Sequence, residues 1–175
     1  MDLQAIIRVI PNWPKEGVMF QDITTILQDP EAFKYCVDTL ADFCTEQGAT
    51  SVLGIESRGF IFGAAIAYKL GLKFAPIRKP GKLPWKTVSQ EYELEYGTDK
   101  IEMHVDAIAE GERVLIIDDL LATGGTGEAA AKLVEQVGGV VAGIGFVIEL
   151  TGSLHGREKL TGYNVCTLVE IEVAE

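Results

Sequence analysis

No aspartate or glutamate stands between Ser57 and Gln90, although 26 of the 175 residues are acidic and an even spread would place about five in that span. Arg58, Lys69, Lys73, Arg78, Lys79, Lys82 and Lys86 occupy it instead. The span carries +7 in a chain of net charge −11, so the rest sums to −18. Cysteine is also scarce. Cys36, Cys44 and Cys166 are odd in number and have no C-x-x-C spacing, which argues against a disulfide framework or a thiolate zinc site and makes them core filler. No apolar run approaches the roughly 18 residues of a membrane span. The opening MDLQAIIRVIPNWPKEG lacks the regions of a signal peptide. A cytoplasmic protein without a membrane partner is expected, and the acidic balance opposes non-specific binding to nucleic acid.

At 175 residues and 47% hydrophobic, the chain suffices for one domain, residues 1–175, with a sizeable core. Leu3, Ile6, Ile7 and Ile10 recur at helical spacing before Pro11 and Pro14. Asp29 can cap a helix that Pro30 opens and Gly48 stops, with an apolar stripe of Phe33, Cys36, Val37, Leu40, Phe43 and Cys44. SVLGIE and KFAPI read as strands around the helix GFIFGAAIAYKLG. Pro80, Gly81 and Pro84 make the basic segment a loop. Val88 to Val105 is predicted as a hairpin turning at Gly97 and Thr98, with Tyr92, Leu94 and Tyr96, then Ile101, Met103 and Val105, on one face. RVLIID is a core strand and Gly125 to Val137 a helix with Ala129, Ala130, Leu133 and Val134 inward. VVAGIGFVIEL and YNVCTLVEI are further strands. The rhythm argues for an α/β fold with a mainly parallel sheet covered by helices on both faces.

The segment VLIIDDLLATGGT concentrates the chemistry. A buried strand delivers Asp118 and Asp119 to the carboxyl edge of the sheet, where ligands gather in open α/β folds. Paired carboxylates suit the vicinal hydroxyls of a ribose. ATGGT then supplies consecutive N–H groups, threonine hydroxyls and a helix N-terminus, a cradle for phosphate. A phosphorylated ribose fits both, and the acid-free span offers a positive field for a strongly anionic ligand. Neither G-x-x-x-x-G-K-[ST] nor a G-x-G-x-x-G after the first strand is present.

These residues resemble the phosphoribosyl-pyrophosphate (PRPP) motif of the type I phosphoribosyltransferases. GVMFQDIT, ESRGFIFG, IRKPGKLP, LEYG and LTGSLHGREKL resemble the adenine-specific branch, in that family's order and across nearly the whole chain. The resemblance implies a central sheet with a small N-terminal hood and a flexible β-hairpin loop. It also implies a Mg²⁺-dependent transfer of the 5-phosphoribosyl group from PRPP to adenine N9, giving AMP and pyrophosphate with inversion at C1. Asp118 and Asp119 match ribose-binding acids, and Ala122, Thr123, Gly124, Gly125 and Thr126 the 5′-phosphate loop. Glu56, Ser57 and Arg58 match a pyrophosphate loop with a cis Glu56–Ser57 peptide. Arg78, Lys79 and Lys82 match positions reaching pyrophosphate, some across a homodimer interface.

Glu95 and Tyr96 match the functional pair of a hairpin that closes over the site, Glu95 handling the purine proton and Tyr96 shaping the closed site. Phe20 is the candidate for stacking on adenine, Met19 and Gln21 for backbone contacts that reject a 6-oxo purine, and Leu154 for the opposite face. Gln21 departs from the Arg of many family members. Mg²⁺ is expected to be held mainly through PRPP oxygens, with no protein metal ligand assigned. His155 is expected at a loop surface and His104 in a strand without chemistry. Two rival readings are a transferase for another purine base and a non-catalytic PRPP-binding regulator, the latter disfavoured by the single domain and acidic charge. A dinucleotide-binding module stands third, opposed by the missing fingerprint.

Overall fold

The computed structural model describes residues 1–94 and 96–174. The chain opens with α1 (Leu3–Ile6), capped by the Asp2 carboxylate, which accepts from the Ala5 N–H at 3.2 Å. The helix predicted to run on to Ile10 does not. Ile7 turns extended, and β1 (Arg8–Pro11) pairs antiparallel with β2 (Met19–Asp22). Tertiary contacts override the helical spacing here. The Arg8 guanidinium donates to Asp22 at 2.6 and 2.9 Å on the first rung of that ladder. The Trp13–Pro14 peptide between the two strands is cis. With α2 (Thr24–Gln28), these elements form the small N-terminal hood.

The clearest helical pattern folds as predicted. Asp29 accepts from the N–H groups of Glu31 and Ala32, Pro30 opens α3 (Pro30–Glu46), and Gly48 follows it with φ +67°. Cys36, Val37, Leu40, Ala41 and Cys44 are buried. Burial pushes the Cys36 thiol up to about 12 and that of Cys44 up to about 11, so both serve as core filler rather than nucleophiles.

Next come β3 (Ser51–Ile55), α4 (Gly59–Leu70), β4 (Lys73–Ile77) and the hairpin of β5 (Thr87–Leu94) with β6 (Gly97–His104). They are followed by β7 (Arg113–Leu121), α5 (Gly125–Gln136), β8 (Val140–Gly152), a 3₁₀ turn (Gly156–Leu160) and β9 (Val165–Val173). Five strands pair in the order β4-β3-β7-β8-β9, all parallel. Alternate residues of β7 serve opposite cores: Leu115 and Ile117 join α3 and α4, whereas Val114 and Ile116 join α5 and the hairpin. Helices therefore cover both faces, as the near-continuous apolar strands require.

Two boundaries differ from expectation. Leu94 pairs with Gly97 and Glu93 with Thr98, so Gly97 and Thr98 belong to the ladder rather than the turn. The predicted apolar face holds at the base, where Ile101 and Met103 are buried, but Leu94, Tyr96 and Val105 are exposed. The carboxylates also do not end their strand. β7 stops pairing with β3 at Ile117 but continues beside β8 to Leu121, opposite Glu149.

Topology sets the place of the site. The α4 crossover carries the chain from β3 outward to β4, while the α5 crossover carries it from β7 the other way to β8. Between the carboxyl ends of β3 and β7 lies the switch point where open α/β sheets bind ligands.

Candidate active site

A cavity of about 250 Å³ opens at that switch point. Glu56 and Arg58 enter it from the end of β3, Asp118 and Asp119 from β7, Ala122 to Gly124 and Thr126 from the following loop, and Lys79 and Tyr92 from the far side. The packing around it demands glycine at Gly59 and Gly124. A Cβ on Gly59 would meet the Ile117 carbonyl oxygen at 2.6 Å, which lets the start of α4 abut the carboxylates. Gly124 has φ +81°, and its Cβ would lie 2.2 Å from the Gly156 carbonyl oxygen.

Gly124 also caps α5, and it supplies no side-chain hydrogen bond to the helix. This contrasts with α3, whose first N–H groups are claimed by Asp29. No side chain at the cap position claims the first N–H groups of α5, which lie at the positive end of the helix dipole. At the other margin of the cavity the two acids are coupled: the Asp119 N–H donates to Asp118 Oδ1 at 2.8 Å, and the Asp119 carboxylate is held by Arg58 Nε. Burial, followed by the adjacent Asp119 charge, raises the Asp118 carboxyl well above the ordinary carboxylate range.

The basic span is not the open positive field its sequence suggested. Arg58 pairs with Asp119, Lys69 with Asp38, Lys73 with Glu112, Lys79 with Asp99, and Arg78 and Lys82 both with Glu56. Six of the seven cations thus meet acids from outside the span, and Lys86 lies over the Trp85 ring. Glu56 is the organiser. It accepts from Arg78 Nε at 3.1 Å and the Lys79 N–H at 3.0 Å, and it pairs with Lys82. Burial pushes its carboxyl up, but the hydrogen bonds from Lys82, Lys79 and Arg78 outweigh this and leave it lowered.

Of the predicted residues, the cavity gathers Glu56, Arg58, Lys79, Asp118, Asp119, Ala122, Thr123, Gly124 and Thr126. Gly125 faces the hairpin, its Cβ position 3.3 Å from the Tyr92 ring. Ser57 is exposed between Glu56 and Arg58, across the cis Glu56–Ser57 peptide. Arg78 and Lys82 stand behind Glu56 and do not line the cavity. Neither do Met19, Phe20, Gln21 or Leu154. Phe20 packs edge-on against Trp13 with centroids 4.4 Å apart, and Gln21 is buried, its amide donating to the Met19 carbonyl at 3.1 Å. Tyr96 is 83% exposed, and Glu95 lies outside the described residues. His155 is exposed, and His104 closes β6 beside Trp85.

Sequence reasoning missed the Tyr92–Lys79–Asp99 cluster. Lys79 Nζ meets the Tyr92 hydroxyl at 3.0 Å and pairs with Asp99, while that hydroxyl lies 3.1 Å from Asp99. Burial lowers the Lys79 ammonium, but its bonds to Asp99 and Tyr92 leave it raised. The alternation that turned Tyr92 inward was the one available signal. Among the described residues, no three His, Cys, Asp or Glu side chains converge on a metal-sized point, and no helix is long and apolar enough to cross a membrane.

Comparison with known proteins places this geometry. Residues 23–170 match the phosphoribosyl transferase domain. The chain is 60% identical to an adenine phosphoribosyltransferase of Acetivibrio thermocellus over 97% of its own length and 99% of the relative's. A solved adenine phosphoribosyltransferase from Thermoanaerobacter pseudethanolicus superposes with a TM-score of 0.93 at 52% identity, covering 97% of this chain and 98% of that one. The Saccharomyces cerevisiae enzyme, solved with an imino-altritol bisphosphate and adenine, superposes at 0.89 with 38% identity, covering 96% and 97%. With a single family model over most of its length and such relatives end to end, the chain belongs to the adenine phosphoribosyltransferases.

Proposed function

We infer that the chain transfers the 5-phosphoribosyl group of PRPP to adenine, releasing pyrophosphate and AMP. The observation that carries this reading is the coupled Asp118–Asp119 pair beside the uncapped start of α5, with Arg58 and Lys79 on the same cavity. The α5 N–H groups and Thr123 and Thr126 take the 5′-phosphate. Asp118 and Asp119 hold the ribose hydroxyls. Arg58 and Lys79 leave their carboxylate partners for the diphosphate, neutralising charge on the departing pyrophosphate as C1 gains oxocarbenium character.

Phe20 and Leu154 would sandwich the base, with the backbone at Met19 and Gln21 reading its 6-amino edge. Glu95 would accept the N9 proton, and Tyr96 would help exclude water once the hairpin closes. Arg78 and Lys82 would act across a homodimer interface, which accounts for their position away from their own cavity. Asp118 and Asp119 on the cavity are hard oxygen donors of the kind Mg²⁺ takes, and would assist an ion held mainly through PRPP oxygens and water. When bound, the ion offsets charge on the diphosphate. A cytoplasmic location accords with substrates that are free metabolites.

The test supplies PRPP and Mg²⁺ with adenine, hypoxanthine, guanine or xanthine separately and follows pyrophosphate. Release with adenine alone is expected, reduced by about 10²-fold or more in Glu95→Gln. Release with a 6-oxo purine would replace the base assignment. PRPP binding without release would point to a regulator. An unaffected Glu95→Gln variant would remove Glu95 from proton transfer.

A further inference from the structure

One polar cluster near the cavity has no part in the reaction described above. Glu149, three residues before the end of β8 and opposite Leu121, is 5% exposed and receives a forked ion pair from Arg157. Arg157 Nε lies 3.0 and 3.2 Å from the two carboxylate oxygens, and its Nη2 contacts Oε2. Thr167 of β9 completes the cluster: its hydroxyl donates to Glu149 Oε2 at 3.0 Å and accepts from Arg157 Nη2 at 3.0 Å. Every member has its partners, so this is a satisfied network that fixes one geometry. Hydrogen bonds from Arg157 and then Thr167, with the Arg157 charge adding to them, outweigh burial and hold the Glu149 carboxyl below its usual range.

Next to Arg157 in the chain stands Gly156. A Cβ on Gly156 would sit 2.3 Å from the Ala122 carbonyl oxygen and 3.0 Å from the Gly124 nitrogen, and a Cβ on Gly124 would strike the Gly156 carbonyl. The two backbones are in direct contact along the phosphate loop. On the other side, Leu160 is 1% exposed within the α5 core and anchors the same 3₁₀ turn. The turn is therefore clamped at Arg157 and Leu160, and Gly156 is pressed against the outer side of residues 122–124.

We propose that Glu149 and Arg157 are positioning residues that hold Gly156 behind the Ala122–Gly124 backbone, so that its N–H groups stay aimed at the 5′-phosphate. The inference rests on the reading of that loop as the PRPP phosphate cradle. Its kinetic signature follows from where the 5′-phosphate lies. That group is remote from C1 and is bound alike in ground and transition states, so a slackened cradle weakens uniform binding. KM for PRPP rises while kcat holds. A merely structural loss would lower the active fraction, reducing kcat at unchanged KM.

The experiment compares the full-length protein with Arg157→Lys, which keeps the charge and loses the fork. The doubly apolar Glu149→Leu/Arg157→Met is made in parallel, because it leaves no buried charge unpaired should the single variant fold poorly. Steady-state kinetics with adenine and PRPP are read beside calorimetric binding of ribose 5-phosphate. About a tenfold rise in KM for PRPP and in the ribose 5-phosphate Kd, with kcat within about threefold, is expected in either folded variant. Unchanged KM and Kd in either folded variant overturn the positioning role. A wild-type protein that makes no AMP yet binds ribose 5-phosphate would instead overturn the transferase reading, and the Kd comparison would still decide the inference.

Discussion

Asp118 illustrates how a single residue can oppose stability in order to serve a site. Its carboxyl is raised by burial and by the neighbouring Asp119 charge, so the folded state binds its proton more tightly than an unfolded aspartate of pKa about 3.9. The sign follows from linkage. Stability from this group is fully present below about pH 4 and is lost as pH rises through the folded value. Asp118→Asn should therefore raise Tm at pH 7, by about 2–4 °C for each kcal/mol gained in a chain of this size, with the gap closing toward pH 4. The same variant should lose about 10- to 100-fold in activity with the ribose contact. Thermal melts across pH check the first effect, and a variant less stable at pH 7 than at pH 4 relative to wild type would refute it.

Asp22 behaves in the opposite sense. Hydrogen bonds from the Thr24 hydroxyl and N–H, with Arg8 adding to them, hold it down at about 2 against the opposing effect of burial. Its contribution is present above about pH 4 and disappears as pH falls toward 2. Asp22→Asn should flatten the acid limb of the stability curve between those values, as urea titrations at stepped pH would show. Neither shift is visible in the residue names. Each depends on partners brought in by the fold.

Two helix starts separate structural from functional capping. At α3 the Asp29 side chain claims the first N–H groups, whereas α5 begins at Gly124 with no side-chain cap. Asp29→Ala should cost about 1 kcal/mol and leave the thermal shift on adding ribose 5-phosphate intact. Gly124→Ala meets φ +81° and the Gly156 carbonyl. It should cost at least about 1–2 kcal/mol and abolish that shift, which in the wild type should reach about 2.7 kcal/mol at a hundredfold excess over Kd. Both comparisons need only melts with and without the ligand.

The same scale shows why some elements were legible and others not. Stripe, cap and stop agreed at α3, and the strands Ser51–Ile55 and Lys73–Ile77 followed from their apolar runs. From Arg8 to Ile10 the helical spacing was overridden by pairing with Met19–Asp22, a partner about ten residues away. The hairpin turn was misplaced because Gly97 marks a turn by residue type, while the ladder continues through it.

For the whole molecule, charge is arranged by folding rather than by segment. The acid-free span draws its counter-ions from Asp38, Glu56, Asp99, Glu112 and Asp119, so Arg58 and Lys79 face the cavity already paired with internal carboxylates. If Arg78 and Lys82 serve a partner's cavity, sedimentation should give twice the 19.0 kDa chain mass, and specific activity should fall as dilution separates the protomers. A monomer fully active at nanomolar concentration would exclude the shared site.

The order of residues by itself determined the alternation of strands and helices, the carboxylate pair and the glycine-threonine loop, because apolar periodicity and backbone permissiveness act over neighbouring residues. It also carried the family, through short segments spread along the chain. Only the tertiary structure decided that β7 runs past Asp119 beside β8, that Glu56 gathers three cationic residues, that Tyr92 and Lys79 meet Asp99, and that Gly156, next to the Glu149–Arg157 fork, packs against the Ala122–Gly124 backbone. These depend on strand order and on contacts between residues up to some tens of positions apart, which no local pattern encodes.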